Sequence, residues 1–193
     1  MRSAISERIL GCCAALLLAV GCGGSPSMAE VAVPLPNLPR SGSAMVVFVQ
    51  PSSYAETERF PIFDHSGQFL GDSLPVSWFA AELAPGEYAF FAEGENTAAA
   101  RAALAADRTY FIEVSPKTGW FRRRVHLLPI TPRVATWDLR EEWLAESRGH
   151  RRIWGSGLDR EKVAEVLEDG RQAWADYDEE ERARRTLVAR DGI

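Results

Sequence analysis

The stretch AMVVFVQ, Ala44–Gln50, is apolar at six consecutive positions and decides the fold class. A strand with one face in water alternates apolar and polar side chains, whereas a strand covered on both faces is apolar throughout. Pro51-Ser52-Ser53 ends the run, because proline cannot continue a ladder of backbone hydrogen bonds. The stretch therefore predicts a central β-strand.

Further short strands separated by turns are predicted on the C-terminal side of this one. A hairpin is predicted from Arg59–Asp64 and Gln68–Gly71, joined by His65-Ser66-Gly67. The other predicted strands are Val76–Leu83, Glu87–Glu93, Thr109–Ser115 and Phe121–Leu128. Strands at this spacing predict a small antiparallel β-sandwich over residues 44–131. Within it, Ala98–Ala106 has strong helix propensity yet lies where a sandwich needs a strand, so both assignments stay open.

Residues 132–193 are highly charged and predict a helical C-terminal extension. Asp138 and Glu141 resemble a capping box, and Gly149 is a plausible stop for that short helix. A second helix is predicted to begin at Asp159. Its apolar residues recur at helical spacing and form a stripe, which must dock on something: Val163, Val166, Leu167, Trp174 and Tyr177.

The N-terminus has the parts of a secretory signal. Basic Arg2 and Arg8 precede an apolar run at Ile9–Val20, which is too short for a stable membrane span of about 20 residues. The sequence Ala19-Val20-Gly21-Cys22 resembles the lipobox of bacterial lipoproteins. That resemblance implies that residues 1–21 are removed and that Cys22 is acylated. The alternative is ordinary signal cleavage or a plain hydrophobic segment.

The cysteines agree with lipidation. Cys12 and Cys13 would leave with the signal, so Cys22 would be the one cysteine of the mature chain and could form no internal disulfide. Gly23 follows it, which by the same resemblance favours the outer membrane of the cell envelope. Residues 22–43 are rich in Gly, Ser and Pro and predict a tether reaching at most roughly 60 Å.

Turn residues in the middle of the chain suggest a family. The run Asp64–Pro75 followed by Leu83-Ala84-Pro85-Gly86-Glu87-Tyr88 resembles the turn pattern of PEGA-type modules and related β-domains of bacterial lipoproteins. Asp107-Arg108-Thr109-Tyr110 would match a further turn and strand of that pattern, with Asp107 in place of its glycine. The resemblance implies a β-sandwich in the cell envelope and no catalytic residue.

No catalytic or metal site is predicted. Asp64, His65 and Ser66 have the residue types of a hydrolytic triad, but consecutive residues in a turn cannot form the relay. His126 and His150 stand alone, and no metal-ligand spacing occurs, so we expect a non-enzymatic protein without cofactor. The formal net charge of −5 and the predicted export disfavour nucleic acid as a partner.

Four residues are candidate contacts for a ligand or partner: Trp120, Arg122, Arg124 and Trp154. Alternation places Arg122 and Arg124 on one face of the last strand, where they could meet lipid phosphates or an anionic polymer, or could protect an edge strand from aggregation. Trp120 and Phe121 are predicted to be exposed. We expect a lipid-anchored envelope protein with a protein-interaction or scaffolding role, motivated by the apolar stripe. The alternative is a module binding peptidoglycan, polysaccharide or lipid headgroups.

Overall fold

Two β-sheets packed face to face form the body of the protein. The computed structural model describes residues 25–32, 38–54, 57–121 and 123–193. The strands in these ranges are β1 Met28–Val31, β2 Ala44–Gln50, β3 Phe60–Asp64, β4 Phe69–Ser73, β5 Ser77–Leu83, β6 Gly86–Glu93, β7 Thr97–Leu104, β8 Arg108–Thr118, β9 Arg123–Ile130, β10 Arg148–Arg152 and β11 Thr186–Leu187. The helices are α1 Arg140–Glu146, α2 Arg160–Asp176 and α3 Glu179–Arg184. No helix among the described residues is long and apolar enough to cross a membrane.

The sheets have six and five strands. Their orders are β1-β10-β5-β2-β8-β9 and β11-β7-β6-β3-β4. Most pairings are antiparallel, but β2 pairs with β8, β10 with β5 and β11 with β7 in parallel. The predicted sandwich with a helical C-terminal extension is confirmed, and its sheets are mixed.

The central strand is β2, as predicted, and all seven of its residues are buried. Val46 and Phe48 point into the core between the sheets, while Val47 and Val49 point to the outer face of the six-stranded sheet. The Phe48 ring stacks on Phe79 at 5.0 Å and meets Phe90 edge-on at 5.4 Å. Burying one such ring stabilises the fold by about 1.5–3 kcal/mol. Because its alternate side chains point to opposite faces of the sheet, β2 contributes to two apolar layers at once.

The ambiguous alanine segment is a strand, β7, which pairs with β6 along its whole length. Ala98, Ala100 and Ala102 face the core between the sheets, and Ala99 lies on the outer face beneath α2. The backbone bonds to β6 and the burial of alternate residues outweigh the helix propensity of alanine.

The C-terminal helices cover both outer faces. Trp137, Trp143 and Leu144 pack on the six-stranded sheet, and the α2 stripe packs on Phe63, Phe69, Phe91 and Ala99 of the five-stranded sheet. The second helix begins as predicted, since the Asp159 carboxylate accepts a hydrogen bond from the Lys162 amide at 2.8 Å. The first differs from the prediction. Its N-cap is Leu139 with no side-chain cap, and Gly149 lies in β10, where it packs against Trp78.

Two segments outside the predicted sandwich also contain strands. Residues 22–43 were expected to be a tether, but Met28–Val31 forms β1 and pairs with β10. Residues 132–193 were expected to be helical, but they also supply β10 and β11. A four-residue strand within a segment rich in Gly, Ser and Pro disappears in an average over composition, and an edge strand that pairs with a distant segment carries no local signal.

Side-chain bonds close both open sides of the sandwich. On one side, Ser25 Oγ donates to the Asp72 carboxylate and Arg152 donates to the Phe69 carbonyl oxygen, which joins the N-terminal segment and β10 to β4. On the other side, the buried guanidinium of Arg185 donates to the Leu127 carbonyl oxygen at 3.0 Å. Both closures use residues outside 44–131, so the flanking segments belong to the folded body.

Candidate functional site

The most exposed aromatic side chains lie at the tip of the β8–β9 hairpin. Trp120 is 86% exposed and Phe121 is 89% exposed, which agrees with the predicted exposed pair. Phe121 was expected to begin the last strand, but β9 begins at Arg123, and both rings therefore project from the connecting turn. Large aromatic rings left in water are typical of contact surfaces.

The backbone of this tip is held in place although its side chains are free. The Glu95 carboxylate accepts hydrogen bonds from the amide of Trp120 at 2.7 Å and from that of Phe121 at 2.5 Å. Glu58 accepts from the Arg123 amide at 3.0 Å. A backbone fixed before binding loses little conformational entropy when its side chains engage a partner.

A further contact braces the base of the tip. The Arg123 guanidinium lies 4.4 Å from the centre of the Tyr54 ring and donates to the Tyr54 hydroxyl at 2.7 Å. That hydroxyl also bonds with Thr118 Oγ1 at 2.8 Å. Arg123 therefore has a structural role, whereas Arg124 on the other face is exposed.

The basic face beside the tip differs in part from the prediction. Arg124 lies directly across the hairpin from Lys117, and both are exposed, so two cations sit side by side on β8 and β9. Arg122 lies outside the described residues. The next pair along this face is His126 opposite Ser115. Burial lowers the pKa of His126, and the neighbouring Arg185, which donates to its Nδ1 at 3.0 Å, lowers it further.

The edge of β9 is already occupied. Asn96 pairs with Val125 like an added strand residue, with bonds of 2.8 Å to its amide and 3.0 Å to its carbonyl oxygen. The Arg123 carbonyl oxygen accepts a hydrogen bond from the Glu95 amide at 3.0 Å, and the Leu127 carbonyl oxygen accepts one from the Arg185 guanidinium. These backbone groups are therefore not open to a partner strand, and contact here would be made by side chains.

The three predicted contact residues that the structure describes, Trp120, Arg124 and Trp154, do not form one site. Trp154 follows β10, which lies four strand spacings, about 19 Å, from β9 in the six-stranded sheet. Trp154 is itself 72% exposed. Trp120 and Arg124 lie together at one corner of the sandwich, and Trp154 lies near the opposite edge beside the N-terminal segment.

A groove that the sequence did not predict lies between α2 and the outer face of β6 and β7. It has a volume of about 340 Å³ and is lined by His65, Ala89, Phe91, Ala99, Arg101, Arg171 and Trp174. The Arg101 guanidinium stacks over Trp174 at 4.6 Å, and among the described residues it has no carboxylate partner. The groove exists because the side chains of Ala89 and Ala99 are small and leave space between the sheet and α2. Arg101, which interrupts the alanine-rich segment, was a sequence signal for this groove. Its place on the outer face of the sheet follows only once that segment is assigned as a strand.

The Asp64-His65-Ser66 turn has a structural function. Asp64 Oδ1 accepts from the Ser66 amide at 2.8 Å, from Ser66 Oγ at 2.6 Å and from the Gln68 amide at 3.0 Å. The carboxylate thus holds the turn closed, and the His65 ring meets Tyr88 edge-on at 5.4 Å. These contacts give each side chain a place in the fold.

No family model matches this chain, and neither the curated proteins nor the solved structures include a significant match to it.

Proposed function

We propose that this chain is a lipid-anchored, non-catalytic protein of the bacterial cell envelope, favouring the outer membrane, that binds a protein partner through the Trp120–Phe121 hairpin tip. The lipobox resemblance at residues 19–22 supports acylation of Cys22. The PEGA-like turn pattern stays a prediction. The observation that carries the binding role is a pair of exposed aromatic rings on a backbone that Glu95 holds fixed.

The proposed contact element is the hairpin tip and not the C-terminal helix α2. The sequence suggested docking through the apolar stripe of α2, but that stripe packs on the chain's own five-stranded sheet. The tip presents aromatic rings, which are enriched among residues that dominate binding energy, next to two exposed cations. A partner with an apolar pocket and an acidic rim would complement this surface.

The test of the partner is photocrosslinking in intact cells, with benzoylphenylalanine placed at position 120 or 121 in turn. We expect one defined protein adduct from both positions. The matched control places the crosslinker at position 154, which is similarly exposed at a distant edge. Absence of an adduct from the tip, or the same adduct from position 154, would contradict the proposal. Incorporation of a clickable palmitate analogue, lost in Cys22→Ala, tests the anchor separately.

A second function, binding of an acidic envelope glycan, is favoured by the groove. Arg101 and Arg171 offer cations there, and the Trp174 ring offers a surface on which a sugar could stack. Sedimentation with purified peptidoglycan tests it. Retention should fall in Arg101→Ala and persist in the control Arg190→Ala, whose side chain is exposed outside the groove. Equal retention of both variants would exclude the groove as the glycan-binding site.

A further inference from the structure

We infer that the side of the domain carrying Trp154 rests on the membrane surface, with the indole ring among the lipid headgroups. The inference deepens the proposed lipid anchoring and rests on acylation of Cys22. It concerns a different surface from the hairpin tip. Three observations carry it: where the N-terminal segment is bound, how far Cys22 can lie from that point, and which side chains surround it.

The N-terminal segment is bound to the domain from Ser25 onward. Ser25 Oγ donates to the carboxylate of Asp72, a buried residue of β4. Ser27 Oγ donates to the Gly155 carbonyl oxygen at 2.5 Å, and the Ser27 carbonyl oxygen accepts from the amides of Ile153 at 2.8 Å and Trp154 at 3.3 Å. Strand β1 follows at once. The segment is therefore part of the folded body before the sequence reaches its proline-rich stretch.

The position of Ser25 limits the distance between the domain and the bilayer. Cys22 precedes Ser25 by three residues, and a fully extended chain covers at most about 3.6 Å per residue, or about 11 Å in total. An acyl group on Cys22 must reach the hydrocarbon layer. The bound end of the segment therefore lies within about 11 Å of the membrane surface, and residues 22–43 cannot act as the long spacer that their composition suggested.

The side chains beside this bound segment suit a lipid surface. Trp154, whose amide bonds to Ser27, is 72% exposed, and Ile153 is 40% exposed. Arg151, two residues before Ile153, is also exposed. Tryptophan concentrates at the membrane–water interface because its ring is apolar and its N–H is polar, and an arginine near the surface is attracted by anionic lipid. Held within reach of the anchor, these groups meet headgroups before any other partner.

The experiment uses the full mature protein, isolated from the membrane fraction and reconstituted in vesicles of phosphatidylethanolamine and phosphatidylglycerol. The vesicles contain a phosphatidylcholine with a nitroxide on its headgroup, which quenches nearby tryptophan fluorescence. We expect quenching of the wild-type protein to fall by more than half in Trp154→Phe. The matched control is Trp120→Phe, which removes an exposed tryptophan near the opposite edge and should leave quenching unchanged.

Each outcome decides one point. Quenching that is equal in the wild type and Trp154→Phe, or that is lost in Trp120→Phe instead, overturns the inference while leaving the anchor intact. Flotation with the vesicles and the mass of the N-terminal peptide report acylation independently. A chain that neither floats nor carries acyl groups refutes the anchor, and this orientation with it.

Discussion

Replacing Gly170 with alanine distinguishes between two arrangements of α2: a helix packed on the chain's own sheet and a helix that is free to bind a partner. Gly170 is buried, and a Cβ atom built there would lie 2.2 Å from Cδ1 of Phe91. Helix propensity alone predicts that alanine stabilises the helix by about 1 kcal/mol. Packing predicts the opposite, because carbon atoms in contact sit about 3.5–4.0 Å apart.

The size of the effect follows from the separation that the added methyl group requires. The helix or the ring must move by about 1.5 Å, and a gap of 0.5–1 Å already removes about a quarter to a half of a contact's attraction. The ring of Phe91 is buried. Overpacking of this kind costs about 1–3 kcal/mol, so we expect Gly170→Ala to lower the free energy of unfolding despite its better propensity.

Urea denaturation of the purified chain measures the change. The matched control is Ala164→Gly at an exposed position of the same helix, which reports propensity without a packing change. In a Phe91→Leu background the cost of Gly170→Ala should shrink, since the shorter side chain leaves room for the methyl group. If Gly170→Ala instead stabilises the chain by about as much as Ala164→Gly destabilises it, the helix does not rest on Phe91, and its stripe is available to a partner.

Three further predictions concern the tip and the buried titratable groups. Trp120→Ala and Phe121→Ala should change the free energy of unfolding by less than about 0.5 kcal/mol. Glu95→Ala should instead speed hydrogen exchange at the amides of Trp120 and Phe121. An unchanged exchange rate would show that Glu95 does not hold the tip. Burial raises the pKa of Asp72 above 3.8, so the wild type should lose stability relative to Asp72→Asn as the pH rises above that value; a pH-independent difference would contradict this. Burial, with Arg185 nearby, lowers the pKa of His126 below 6.5, so its contribution should be complete above pH 6.5 and lost as the pH falls below it. Because burial also lowers the pKa of His150, the loss should be reduced in His126→Gln, unchanged in a His65→Gln control, and smallest when His126 and His150 are both replaced by Gln.

The sequence predicted the parts of the fold that rest on local pattern. The first six residues of Ala44–Gln50 are apolar because both faces of the strand are covered, and Asp159 is an N-cap because its carboxylate bonds to the next turn. The strands that join distant segments were missed. Arg148–Arg152 is polar at most positions, and it is a strand because Met28–Val31 and Ser77–Leu83 pair with its two edges. No window of local sequence contains both partners.

The same limit applies to the sites. Exposure of Trp120 and Phe121 could be predicted because Gly119 marks a turn there. That Glu95 and Glu58 hold this turn could not, since they lie in other loops and meet it only in the folded sandwich. Asp107 adopts a left-handed φ of 60°, and its carboxylate accepts a hydrogen bond from the Gly42 amide at 2.7 Å, a contact between distant segments that no local pattern contains.

The two exposed tryptophans, one at the proposed membrane contact and one at the proposed partner contact, lie near opposite edges of one sheet. Trp154 lies beside the bound N-terminal segment at the β1–β10 edge, and Trp120 lies in the turn that joins β8 and β9 at the other edge of the same sheet. Five strand spacings of about 4.8 Å separate β1 from β9, or about 24 Å. If the β1 edge faces the bilayer, the aromatic tip lies near the edge of the sheet that is farther from it. Anchoring and partner binding would then use opposite edges of one rigid sheet, so neither contact would obstruct the other.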